Sequence, residues 1–423
     1  MKVFKFGGAS ISNIERINKV RDILKEHRNE PLIIVISAMG KTTNALEKVA
    51  ASFFNNAQEE AQLLFEKIKK DHITLSKYLL VTHYLPCEKK LQELFAQAEQ
   101  ILQEKPVQPY DYYYDQLVSL GELLSTIIVS SYLNEMGVPN QWLDVRNIIR
   151  TDDNYRDANI DWVTTEQNIK KIVLPILEEV GMVLTQGFIG ATATNESTTL
   201  GREGSDYSAA VFAGILNAES QTIWKDVPSV MNADPREVPD ALPLPELNYL
   251  EVIEMAYYGA QVIHPKTIKP LQNKSIPLYV KCFLDPSLPG TLIHNNPIKD
   301  LPPVIVIKRN QVMVELQSKD FSFIGEGGTT TLYQLFEELS MRPNLTQNEA
   351  IDITCVFDNR EEKIAQLASA AARWFDVQIT KGLQLLTIRH YDAATLEKYV
   401  NGKDYILRQQ TPEIITLLHW EKP

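Results

Sequence analysis

Lys5-Phe6-Gly7-Gly8-Ala9-Ser10 combines a cation, two glycines and a hydroxyl at the end of a short β-type run. A lysine placed there can project to the carboxyl edge of a sheet, where open α/β folds bind ligands. Adjacent glycines let backbone N–H groups approach a phosphate with no Cβ in the way. A helix beginning just downstream adds positive potential for an anion. The same residues also fit a glycine turn with a solvated lysine. The stretch from Thr198 to Asp206 is more specific. Gly201 and Gly204 flank Arg202 and Glu203, and a guanidinium fork matches a carboxylate with two parallel bonds. Ser205 and Asp206 then open a helix, where either could be a cap. Capping alone does not account for Arg202 or for the long polar loop before it.

Other stretches are weaker alone. Ser37 and Thr43 are hydroxyls just past a second strand, and both also fit turn and cap roles. Glu122 lies in a predicted amphipathic helix beside the stripe Leu117, Leu120, Leu124 and Ile128. It fits a carboxylate facing a cleft or a solvated helix residue. Lys225-Asp226-Val227-Pro228 ends another strand, and Asp234-Pro235-Arg236 follows in a turn-rich segment. His264, before Pro265, reads as a packed, hydrogen-bonded histidine. Gly40-Lys41-Thr42 imitates the end of a phosphate-binding loop, but that pattern needs glycine at position 35, where Val35 stands.

These residues need elements to hold them. Val3–Phe6 reads as a strand, and Ser12 or Asn13 as the cap of a helix through Leu24. Ile14, Ile17, Val20, Ile23 and Leu24 recur at helical spacing. Leu32–Ile36 is nearly all apolar, as in a parallel strand covered on both faces. Residues 44–136 are predicted mainly helical. Residues 138–300 return to strands and helices, with Met182–Thr185 a strand, Gly190–Gly204 a polar loop, Tyr207–Leu216 a helix and Thr222–Lys225 a strand. Prolines at 286, 289, 297, 302 and 303 mark a boundary near residue 300. Beyond it, strands at Val304–Leu316, Ala350–Phe357, Gly382–Arg389 and Ile414–Trp420 alternate with helices at Thr331–Leu339 and Glu361–Trp374. That spacing suggests one or two small α+β modules.

Composition sets the outer limits. The chain has 423 residues, 44% hydrophobic and 23% charged, which suits packed globular domains. No apolar run nears the ~20 residues that span a bilayer, so no membrane partner is expected. The formal net charge of −12 disfavours extended nucleic-acid binding, but a few local lysines can still reverse the field in one cleft. Three scattered cysteines argue against a disulfide framework and for a reducing cytoplasm. No metal-ligand cluster is evident.

Seven stretches in order resemble the aspartate kinases of the amino-acid kinase family. They are KFGGAS at 5–10, SAMGKTTN at 37–44, GELLS at 121–125, TQGFIG at 185–190, TTLGREGSD at 198–206, KDVPSVMNADPR at 225–236 and GAQVIHP at 259–265. The resemblance implies an α/β fold: a three-layer sandwich with a mainly parallel central sheet over residues 1–300, with a helical excursion at about 44–136. Residues 301–423 would form C-terminal α+β ACT-like modules, the second shortened. It implies ATP and Mg²⁺ as cofactors and transfer of a phosphoryl group to the β-carboxylate of L-aspartate, the first step towards lysine, threonine and methionine. Lys5, Gly7, Gly8 and Ser10 would form the phosphate-side loop. Ser37, Thr43, Glu122, Phe188, Arg202 and Ser205 would bind aspartate, with Asp206 orienting Lys5. Lys225, Asp226, Met231, Arg236 and Gln261 would meet the nucleotide.

Three positions depart from the family pattern. Glu203 stands where many relatives have glycine, Met231 where tyrosine is common, and Gln261 where many carry a phosphate-contacting lysine. Plant-type relatives pair glutamine there with lysine at the Lys225 position, which implies Lys225 as a second phosphate-side cation. A lysine or threonine effector, a homodimer and no fused dehydrogenase are further expectations. A glutamate kinase and a non-catalytic amino-acid sensor on the same fold are the alternatives. Retention of Lys5, Arg202 and Asp206 weighs against the sensor.

Overall fold

The structure, a computed structural model, describes residues 1–260, 262–319, 323 and 325–421. Its chain divides into two compact units. The first comprises Met1–Val230, Pro243–Ile253 and Gln261–Ile298; the second comprises Met231–Leu242, Glu254–Ala260 and Lys299–Pro423.

Strands of the first unit are β1 (Lys2–Phe6), β2 (Leu32–Ile36), β3 (Gln141–Leu143), β4 (Met182–Gln186), β5 (Ile189–Ala191), β6 (Ser197–Thr199), β7 (Ser220–Lys225), β8 (Glu246–Asn248), β9 (Leu278–Cys282) and β10 (Thr291–His294). Eight of them form one sheet in the order β3-β4-β2-β1-β7-β9-β10-β8. Pairing is parallel from β3 to β9, and only β9–β10 is antiparallel. β2 and β4 are buried at every position, which explains their apolar composition. From β1 the chain runs outward through β2 and returns later as β7 on the other side. The carboxyl ends of β1, β2, β4 and β7 therefore surround a point where connections diverge, the place where such sheets bind ligands.

The helices are α1 (Ile14–Glu26), α2 (Thr42–Phe54), α3 (Gln58–Leu79), α4 (Tyr84–Gln103), α5 (Tyr110–Val118), α6 (Leu120–Glu135), α7 (Trp162–Asn168), α8 (Leu174–Val180), α9 (Gly204–Leu216), α10 (Tyr249–Tyr258, shared by both units) and α11 (Pro265–Gln272). Asn13 is the cap of α1, its side chain accepting the Arg16 N–H. Ile17, Val20, Ile23 and Leu24 are buried, as the spacing predicts. Two local readings change. The loop from Gly190 folds partly as the β5–β6 hairpin. The stretch Tyr110–Glu135 is, by length and composition, apolar enough to cross a bilayer, but 89% of its most apolar window is buried inside the protein. It is a core element.

The second unit carries β11 (Val304–Ser318), β12 (Leu345–Asn348), β13 (Asp352–Asp358), β14 (Phe375–Arg389), β15 (Leu407–Gln410) and β16 (Ile414–Trp420), with α12 (Glu326–Glu338), α13 (Glu361–Ala371) and α14 (Ala393–Tyr399). Its six-stranded sheet, β12-β13-β11-β14-β16-β15, is antiparallel throughout. Alternation along β11 splits its side chains between two cores. Val312, Val314 and Leu316 pack with Leu332, Phe336, Ile364 and Leu367, whereas Met313 joins Val356, Leu385 and Leu418.

Candidate active site

Lys5 sits next to the end of β1, and its Nζ lies 2.7 Å from Asp206 Oδ1 in the first turn of α9. Both side chains are largely buried. Each charge offsets the desolvation cost of the other, so the pair ties the end of β1 to the start of α9. Gly7 and Gly8 lead into a single helical turn, Gly8–Ile11. A Cβ on Gly8 would stand 2.4 Å from the Ala38 carbonyl oxygen, so the loops after β1 and β2 meet only because the residue is glycine. Ser10 Oγ donates to the Trp224 carbonyl of β7 at 3.4 Å, joining a third strand end.

Glu122 enters from α6, a helix buried on nearly every side rather than along one stripe. It is 2% exposed. One oxygen, Oε1, accepts the Ala38 N–H at 3.1 Å. The other, Oε2, is buried with no hydrogen-bond partner among the described residues. Burial pushes its carboxyl up to about 8, against the Ala38 N–H and the Lys5 charge, which favour the ionised form. Ser125, one turn along, donates to the Ser37 carbonyl at 2.8 Å and fixes α6 against the end of β2. The Ser37 and Thr43 hydroxyls and the exposed Arg202 guanidinium make no side-chain hydrogen bond or ion pair among the described residues. Neither α2 nor α9 has a side-chain cap, which leaves N-terminal N–H groups open to an anion.

Phe188 follows β4 with φ at +72°, an unusual conformation for an aromatic residue. Ser208 Oγ accepts its N–H at 2.9 Å, and its carbonyl accepts the Leu200 N–H at 2.8 Å. Ser205 is buried in the first turn of α9. Glu203, at φ +54°, occupies the left-handed backbone that glycine would favour. Its Oε2 accepts the His264 N–H at 2.7 Å, which gives the carboxylate a structural partner. His264 in turn is the cap of α11, its Nδ1 accepting the Lys266 N–H.

Asp115, in α5, was not singled out by sequence. It is fully buried. Its Oδ2 accepts the N–H groups of Thr199 at 2.7 Å and Arg156 at 3.0 Å, and its Oδ1 accepts the Thr199 hydroxyl at 2.7 Å. It anchors the strand that ends just before Gly201-Arg202. Burial raises its carboxyl to about 6 despite these bonds. The available signal was an acid between the aromatic pair Tyr113-Tyr114 and the apolar Leu117-Val118 in a predicted helix.

The nucleotide set is less assembled. Lys225 Nζ donates to the Val262 carbonyl at 2.8 Å, and Asp226 lies 3.7 Å from Arg16. Met231 and Arg236 belong to the second unit, where Arg236 is forked onto Asp234. Gln261 lies outside the described residues. No group of three or more His, Cys, Asp or Glu residues able to hold a metal occurs among the described residues.

Comparison with known proteins narrows the reading. The profile of the amino acid kinase family matches residues 1–282. The lysine-sensitive aspartokinase 3 of Escherichia coli is 36% identical over 320 residues, covering 75% of this chain and 69% of that protein. The chain belongs to the amino acid kinase family, among its aspartokinases. The chloroplastic aspartokinase 1 of Arabidopsis thaliana is 33% identical over 372 residues; the match spans 84% of this chain but 63% of that relative. Among solved aspartokinase structures, that of E. coli aspartokinase III with aspartate and ADP superposes with a TM-score of 0.81 at 27% identity, over 99% of this chain and 96% of that one. Aspartate kinase from Clostridium acetobutylicum, at 20% identity and a TM-score of 0.77, shares the fold.

Proposed function

We propose that this chain moves the γ-phosphoryl group of ATP to the β-carboxylate of L-aspartate, giving 4-phospho-L-aspartate and ADP. The observation that carries the reading is Glu122: a buried carboxylate with one unpartnered oxygen, sited to receive an ammonium. Arg202 takes a substrate carboxylate, and Ser37, Thr43, Ser205 and Phe188 complete the pocket. The attacking carboxylate is already ionised near neutral pH and needs no general base. A carboxylate oxygen bonds to the γ-phosphorus, while the bond from that phosphorus to the β,γ-bridging oxygen breaks. The obstacle is repulsion between two anions. Lys5, held by Asp206, and the N–H groups of the loop at Gly7, Gly8 and Ser10 offset it. Lys225, Asp226, Met231, Arg236 and Gln261 form the nucleotide segment. Mg²⁺ binds mainly through substrate phosphates with one or two carboxylates, and Asp206 is the residue of this set that would share it.

The second unit is the regulatory region in this reading, taking lysine or threonine as effector in a cytoplasmic homodimer, and the product feeds lysine, threonine and methionine synthesis. An ATP-dependent hydroxamate assay tests the core of it. Aspartate should give product and glutamate little. Lys5→Ala should lower kcat by roughly 10²–10³-fold with an unchanged circular dichroism spectrum. Near-normal turnover in that variant would refute the assigned role.

A further inference from the structure

We propose that a cavity in the first unit, walled by α9, α11 and the segment Ala158–Lys170, is a second binding site for a small organic anion with a flat apolar portion. The cavity measures about 570 Å³, within the range of small-molecule sites. None of the substrate or nucleotide residues assigned above lines it. Tyr207 and Asp206 are neighbours on α9, but Asp206 pairs with Lys5 while Tyr207 lines this cavity.

The lining is chemically lopsided. Four lysines, Lys170, Lys266, Lys269 and Lys274, face it against one acid, Glu166, in a chain whose net charge is −12. Lys170 is paired with Glu166, and Lys266 with Asp157. Lys269 and Lys274 form no ion pair among the described residues. Grouped like charges repel, and an anion between them relieves that repulsion. The walls supply the other half of the recognition. Trp162, 42% exposed, lines the cavity. Burial pushes the Tyr207 phenol up, so it stays a neutral hydrogen-bond group, and its hydroxyl has no partner among the described residues. Gly214 and Pro270 make the apolar floor. A Cβ on Gly214 would come to 3.3 Å from Pro270, so α9 and α11 cross closely here and the space opens beside the crossing. An aromatic wall, an apolar floor and unpaired ammonium groups select a flat organic anion over a bare ion or a hydrocarbon.

The probe is 2-naphthyl phosphate, titrated calorimetrically into the full chain in excess ADP and aspartate. One site per chain is expected. Lys269→Gln/Lys274→Gln and Trp162→Ala should each weaken it about tenfold or more. Inorganic phosphate or 2-naphthol alone should bind more weakly than the probe. Both variants should keep the aspartate-dependent activity of the wild type, which shows that they fold. Absence of binding to the wild type, or equal affinity in wild type and both variants, overturns the proposal.

Discussion

A carboxylate buried without a cation in contact is costly, and Glu122 avoids most of that cost by holding a proton until a cation arrives. With its carboxyl raised to about 8, it is mostly protonated at pH 7. Pairing with a substrate ammonium requires the ionised form. Aspartate binding at pH 7 should therefore release a proton, and KM for aspartate should fall as pH rises from 6 to 8 and then level. Calorimetric titration in two buffers of different ionisation enthalpy reads the proton directly; equal heats in both would remove the assigned pairing. Glu122→Gln keeps the shape and removes the charge. It should raise KM for aspartate roughly a hundredfold, because the loss of one partner strands the buried ammonium.

At the scale of elements, Asp115 links α5 to β6 and to the turn at Arg156. Asp115→Ala would leave two buried donors on Thr199 and the partly buried Arg156 N–H without their acceptor, and should cost about 2–4 kcal/mol in urea denaturation. The pH dependence has a definite sign. Its folded value, about 6, lies above the ordinary carboxylate value, so the native state holds the extra proton. That contribution to stability is full below pH 4 and is lost as pH rises to 6. The stability deficit of Asp115→Asn should thus be larger at pH 4.5 than at pH 7. The same region shows why some elements were legible and others not. α1 and β2 announce themselves because a cap, a 3.6-residue period and an unbroken apolar run all agree. The β5–β6 hairpin is polar, and its bonds run to distant partners such as Asp115, so local pattern reads as loop. Lys5, Arg202 and Asp206 were visible as types at strand and helix ends. The Lys5–Asp206 contact spans about two hundred residues and shows only once the sheet order is known. The first half of β14 escaped for a related reason. Phe375–Lys381 is largely exposed or half-buried, and pairing with β11 rather than burial makes it a strand.

For the whole molecule, the chain passes between the two units five times, so residue 300 is not a clean cut. Met231–Leu242 and Glu254–Ala260 lie before residue 300 but fold with the C-terminal strands and helices. Ala233 and Val238 pack in one cluster with Ile305, Ile388, Val400 and Ile415. The Asn232 side chain donates to the Pro303 carbonyl at 2.8 Å, and Glu254 pairs with Arg389 at 2.9 Å. Met231 and Arg236, assigned to the nucleotide segment, stand in the first of these inserts. A chain ended at residue 300 keeps Lys5, Glu122, Arg202 and Asp206 but strips both inserts of their core. It should expose apolar surface, aggregate, and lose ATP-dependent hydroxamate formation, as read by light scattering and assay. A soluble, fully active 1–300 fragment would mean that the inserts do not need residues 301–423 to serve the nucleotide end. Loss of activity in a soluble fragment that still binds aspartate would place the defect at the nucleotide segment.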